Sequence, residues 1–149
     1  MPFFHKPVAV VSVAVALGVL TVSCGESKVS QCNKLIGVAN KAVTDVQAIT
    51  SNANPQDVSA MTKIADTADQ AKASMEGLEL SDEKLKVFQQ RFVAMYSDTS
   101  KSTRELVSAV GANNSQAAET AYKQLQTATN QETPLVNEVN GYCGGTPQS

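Results

Sequence analysis

Leu85-Lys86-Val87-Phe88-Gln89-Gln90-Arg91-Phe92-Val93-Ala94-Met95 decides the fold of this chain, because Leu85, Phe88, Phe92 and Met95 recur at alternating spacings of three and four. That repeat keeps one seam of an α-helix turned toward a partner helix. Read onward, the seam continues through Thr99, Ser102, Leu106 and Ala109, with a polar interval at Thr99 and Ser102. Upstream, Cys32, Leu35, Ala39, Ala42, Val46 and Ile49 carry the same spacing, as do Met61, Ile64, Ala68, Ala71, Met75 and Leu78. Downstream it returns in Ala118, Ala121, Leu125, Ala128, Glu132, Leu135, Val139 and Tyr142. Four such segments in succession predict an all-α domain.

The segments are separated by short, well-punctuated connections. Asn54-Pro55-Gln56-Asp57 offers a capping side chain at Asn54, proline at the first helical position and an acid two residues on. Ser81-Asp82-Glu83 opens the third segment in the same way, and Gly111-Ala112-Asn113-Asn114-Ser115 ends it and caps the fourth. Such short links make consecutive helices antiparallel neighbours, which gives an up-down-up-down four-helix bundle. Trp is absent and aromatic residues make up only 5% of the chain, a composition that suits closely approaching helices better than aromatic-rich strands.

In that topology the start of the first helix and the end of the fourth lie at the same end of the bundle. Cys32 and Cys143 occupy those two places, so a disulfide between them is expected. It would close a loop of roughly 110 residues, for which chain entropy gives about 4.7 kcal/mol. No Cys-x-x-Cys arrangement and no activating His or basic neighbour of Cys143 accompanies the pair, which argues for a structural bond rather than a redox centre.

The third cysteine reads differently. His5 and Lys6 form a short basic segment, Val8 to Leu20 an apolar core, and Val22-Ser23 a small-residue approach to Cys24. As a helix that core spans roughly 20 Å against about 30 Å of hydrocarbon, too short for a comfortable membrane span. The stretch Leu20-Thr21-Val22-Ser23-Cys24 resembles the signal of bacterial lipoproteins, with the family's leucine standing one position further from the cysteine than usual, at Leu20. The resemblance implies cleavage before Cys24, acylation of its thiol, and a protein held by membrane lipid while facing the periplasm, a thylakoid lumen or the cell exterior. The expected organisation is a signal peptide over 1–23, an acylated tether over 24–30, the bundle over 31–143 and a C-terminal tail over 144–149. About 126 residues follow the cut, enough for one domain.

The chemistry open to such a domain is narrow. The chain's single histidine, His5, belongs to the leader, and with it goes the commonest general base and transition-metal ligand. Neither the Glu-x-x-His pairs of di-iron bundles nor the Cys-x-x-Cys-His of haem attachment is present, so no cofactor or metal is expected. Asp66 with Asp69, Glu76 with Glu79, and Asp82 with Glu83 read as solvated faces or helix starts. Without Lys6, 11 of the 12 Lys and Arg remain against 14 Asp and Glu, which excludes nucleic-acid binding on charge. Phe92, Val93 and Tyr96 spread apolar groups over more than one face of the third helix, as a bundle core requires.

One acid falls on a seam position. Glu132 lies in Asn130-Gln131-Glu132-Thr133-Pro134, where the proline must kink or break the helix. Thr99, Ser102 and Glu132 are therefore the candidate contact residues for a ligand or partner. Two functions compete. The first is a non-enzymatic, membrane-anchored accessory, assembly or stabilising factor that binds a larger envelope or membrane complex; in layout it resembles small accessory lipoproteins such as the four-helix subunits on the lumenal side of photosynthetic membranes. The alternative is a bundle that holds a small hydrophobic or cationic ligand at its polar interior layer.

Overall fold

A computed structural model describes residues 26–54 and 57–144. The leader and Cys24 lie outside the described residues, as do Pro55, Gln56 and the last five residues of the tail. Among the described residues five helices follow one another: α1 Lys28–Thr50, α2 Val58–Glu76, α3 Glu83–Gly111, α4 Ser115–Thr129 and α5 Glu132–Gly144. Together they form a four-helix bundle, with α4 and α5 as two halves of the fourth arm. The α1 helix takes in three residues of the expected tether, because Ser27 caps it by accepting a hydrogen bond from the Ser30 amide.

The break has a simple cause. Pro134 has no N–H to donate to the Asn130 carbonyl, and its ring would collide with that carbonyl in a continuous helix. The α4 helix therefore ends with the Asn130 amide on the Gln126 carbonyl at 2.9 Å, and the next helix restarts at Glu132. In the first turn of α5 the missing donor of Pro134 costs nothing.

The start of α2 differs from expectation. Asp57, not Asn54, is the capping residue, since its carboxylate accepts from the Ser59 amide at 2.8 Å and the Ala60 amide at 3.4 Å. An anion at this position also meets the positive end of the helix dipole. Asp82 and Asn114 cap α3 and α4 through the amides of Leu85 and Ala117, both at 3.0 Å. The turn between those two helices uses Asn113 at φ 52°, a left-handed conformation that Asn tolerates.

The long α3 helix is the centre of the bundle. It packs most extensively on α2 and α4 and less on α5 and α1, while α2 bridges α1 and α3. Buried alanines at 60, 65, 68, 71 and 109 let backbones approach closely. The large side chains collect at one end, where Leu35, Met75, Leu85, Phe88, Leu135 and Val139 are essentially sealed from solvent. Each contributes about 1.5–3 kcal/mol of burial. Every member of this cluster comes from α1, α2, α3 or α5, and none from α4.

That end is also pinned covalently and by polar ties. Cys32 and Cys143 form a disulfide with Cα atoms 5.9 Å apart. Gln31 is buried and accepts from the Ser81 and Asp82 amides at 2.7 and 3.0 Å, satisfying the backbone of the α2–α3 turn. Tyr142 donates its hydroxyl to the Asp82 carboxylate at 2.8 Å, and Lys28 sits 3.6 Å over its ring. Gln89 donates to the Met75 and Leu78 carbonyls, closing the end of α2. The opposite half of the bundle has no comparable set of ties among the described residues.

Candidate functional site

Because α5 rather than α4 closes the bundle against α1, the second half of α1 packs on α2 without a fourth-arm helix closing over its inward seam. On α1 the residues Cys32, Leu35, Ala39 and Ala42 are buried, but Val46 and Ile49 remain partly open. A cavity of about 430 Å³ occupies the unfilled space. Its apolar walls are Val46 of α1, Ile64 and Ala68 of α2, Met95 of α3 and Leu125 of α4. All five are seam positions in the sequence, so the cavity lies on the bundle axis. Its size is that of a site for a small organic molecule.

Polar residues line the same space as well, among them Gln47, Thr67, Thr99, Gln126 and Glu132, and the Tyr96 side chain backs it. Glu132 is half-buried, and its side chain makes no ion pair or hydrogen bond among the described residues. Burial raises its carboxyl above the ordinary glutamate range. Tyr96 is 5% exposed, and its hydroxyl is covered yet has no hydrogen-bond partner. Burial pushes this phenol well above the usual tyrosine range, and the nearby Glu132 charge adds to the effect. The ring itself is well held, stacked on Phe92 with centroids 6.0 Å apart. At the mouth, Val43 and Tyr122 are exposed on the facing helices α1 and α4, and the Tyr122 hydroxyl accepts from Gln126 at 3.1 Å. Among the described residues, no Lys, Arg or His lines the cavity.

No family model matches the chain, and no curated protein or solved structure aligns with it significantly.

The sequence-predicted residues are distributed as follows. Thr99 and Glu132 come together on the cavity wall. Ser102 does not join them: it is buried toward α4 in a separate cleft with Asp98, Lys101 and Thr127. Helical geometry accounts for the split, since a step of three residues rotates a side chain by about 300°, and the broad contact surface of α3 turns the two hydroxyls to different neighbours. Cys32 and Cys143 are bonded to one another, and Cys24 is outside the described residues.

Tyr96 is the cavity residue that the seam argument assigned only to packing. A second seam, Phe92, Tyr96, Thr99 and Thr103, runs beside the first with spacings of four, three and four. It reflects the central position of α3, which faces partners on two sides.

The acidic pairs have other partners. Arg104 binds Asp66 at 2.8 Å and Asp69 at 2.6 Å, which holds the Asp69 carboxyl low. Among the described residues, no three His, Cys, Asp or Glu side chains assemble as a metal-ligand set. A larger cleft of about 600 Å³ lies over the α3–α4 turn, lined by small and amide-bearing residues such as Ala112, Asn114 and Gln124. Among the described residues, it has no buried unpaired group. Among the described residues, no helix is long and apolar enough to cross a membrane.

Proposed function

We propose that this protein is a non-catalytic binding protein held at a membrane surface by acylated Cys24, with the cavity between α1 and α4 receiving a small, mostly apolar ligand. One observation carries the reading: inward positions of all four arms converge on an open space instead of filling it. Close packing is the rule for protein interiors, and large-to-small changes that open a cavity cost several kcal/mol. A bundle that leaves its own seam open and places a half-buried, unpaired carboxyl on its wall has the features of a site. The lipid anchor rests on the Leu20 to Cys24 signal. The scarcity of general bases in the bundle, whose described residues contain no histidine, supports a non-catalytic role.

Native mass spectrometry of the protein extracted from its own membrane tests this. A discrete small-molecule adduct, lost on denaturation, is expected; a bundle that is always ligand-free would refute the reading.

The accessory-factor reading uses the same mouth. Val43 and Tyr122 stand exposed on its opposite lips, where an apolar group of a larger membrane complex would meet them. Crosslinking from the native membrane should then capture one partner complex, and Tyr122→Ser should weaken that capture.

A further inference from the structure

The chemical class of the ligand can be read from the charge of the cavity wall. Glu132 brings an unpaired carboxyl group to the wall of a mostly apolar space whose other polar groups are neutral hydroxyls and amides, and among the described residues no cationic side chain lines it. A buried charge without a partner is costly, whereas the same charge met by a hydrogen-bonded cation is not. The ring of Tyr122 at the mouth adds a face that attracts a cation. A carboxylate ligand would meet Glu132 with like charge, and a plain hydrocarbon would leave the carboxyl unpaired.

We propose that the cavity takes an amphiphilic amine, its ammonium group on Glu132 and its apolar body on Val46, Ile64, Met95 and Leu125. This rests on the binding-cavity reading above and adds the identity of the head group. A primary ammonium has three N–H donors, so it can serve both oxygens of the carboxylate at once. The tail then replaces water along the seam that the helices leave open.

Titration calorimetry of the folded bundle at pH 7 with octylamine, octanol and octanoate, each below its aggregation concentration, separates the two levels of the argument. Octylamine should bind one to one and roughly tenfold or more tighter than octanol, as expected for a charge-assisted hydrogen bond in a partly buried site. Octanoate should bind weakest. Glu132→Gln should bring octylamine to the octanol level, and Val46→Trp, which fills the cavity, should abolish binding of all three. Circular dichroism verifies that each variant is folded. Equal binding of amine and alcohol by the wild-type protein, or an amine preference that survives Glu132→Gln, would overturn the amine assignment and leave the cavity reading standing. Absence of binding by all three probes, or binding undiminished in a folded Val46→Trp variant, would overturn both.

Discussion

Replacing Tyr96 with Phe should make this protein more stable, against the general tendency of core substitutions to destabilise. The change removes one oxygen and leaves the ring that stacks on Phe92. That oxygen is covered and has no hydrogen-bond partner, so the folded state carries the cost of stripping it of water with no return. An unsatisfied buried hydroxyl costs about 1–3 kcal/mol. Loss of a few dispersion contacts offsets part of this, which leaves a gain of about 1 kcal/mol. For a bundle of this length, 1 kcal/mol corresponds to roughly 4 °C in Tm.

Urea unfolding followed by circular dichroism at 222 nm measures it directly. The midpoint should rise while the slope stays unchanged, because the surface exposed on unfolding is the same. Tyr142→Phe is the internal control, since the same atom is removed from a hydroxyl that donates to Asp82 at 2.8 Å. That variant should lose stability. A fall in the midpoint for Tyr96→Phe would refute the reasoning, because it would mean that the hydroxyl is satisfied in solution.

Four further outcomes are expected. Reduction of the Cys32–Cys143 disulfide, which spans 111 residues, removes up to about 4.7 kcal/mol of chain-entropy stabilisation and should lower Tm by roughly 8 °C or more in a melting experiment with and without a phosphine reductant. Free, alkylatable thiols in the oxidised protein would contradict it. For Glu132, burial raises the folded carboxyl above its value in the unfolded chain, so the wild-type protein loses stability as pH rises through the folded value. Glu132→Gln should therefore melt higher than wild type at pH 7, with the difference vanishing below about pH 4; a constant difference across pH would show that the carboxyl does not titrate abnormally. Cys24→Ser should move the protein from the membrane fraction to the soluble fraction of the native organism, and unchanged fractionation would remove the anchor. Arg104→Ala leaves Asp66 and Asp69 without their shared partner, and because all three are largely exposed the change in Tm should be small.

The helices and their order are legible in the residues alone. Periodicities of three and four mark each arm, and Pro134 marks a kink or break because it lacks an N–H and crowds the preceding turn; at the start of α3 the cap is Asp82, one residue later than the Ser81 start. The pairing of Cys32 with Cys143 followed from topology alone, since four antiparallel arms return the chain to its starting end. Where a local signal was ambiguous the reading slipped: Asn54 and Asp57 are both capping residues by type, and the geometry of the turn selects Asp57.

Which seam residues are core and which line a cavity depends on how the arms pack in three dimensions. Leu35 and Val46 have the same pattern and the same character in the sequence, yet one is sealed and the other is not. The difference lies in the fourth arm, because α5 closes on α1 beside the disulfide while α4 rests on α3. A periodic pattern states which way a side chain points along its own helix. Whether another helix arrives to cover it depends on the direction of the chain after the break at Pro134, which the pattern does not encode. For the same reason the unpaired state of Tyr96 and the meeting of Thr99 with Glu132, apart from Ser102, belong to the fold and not to the sequence.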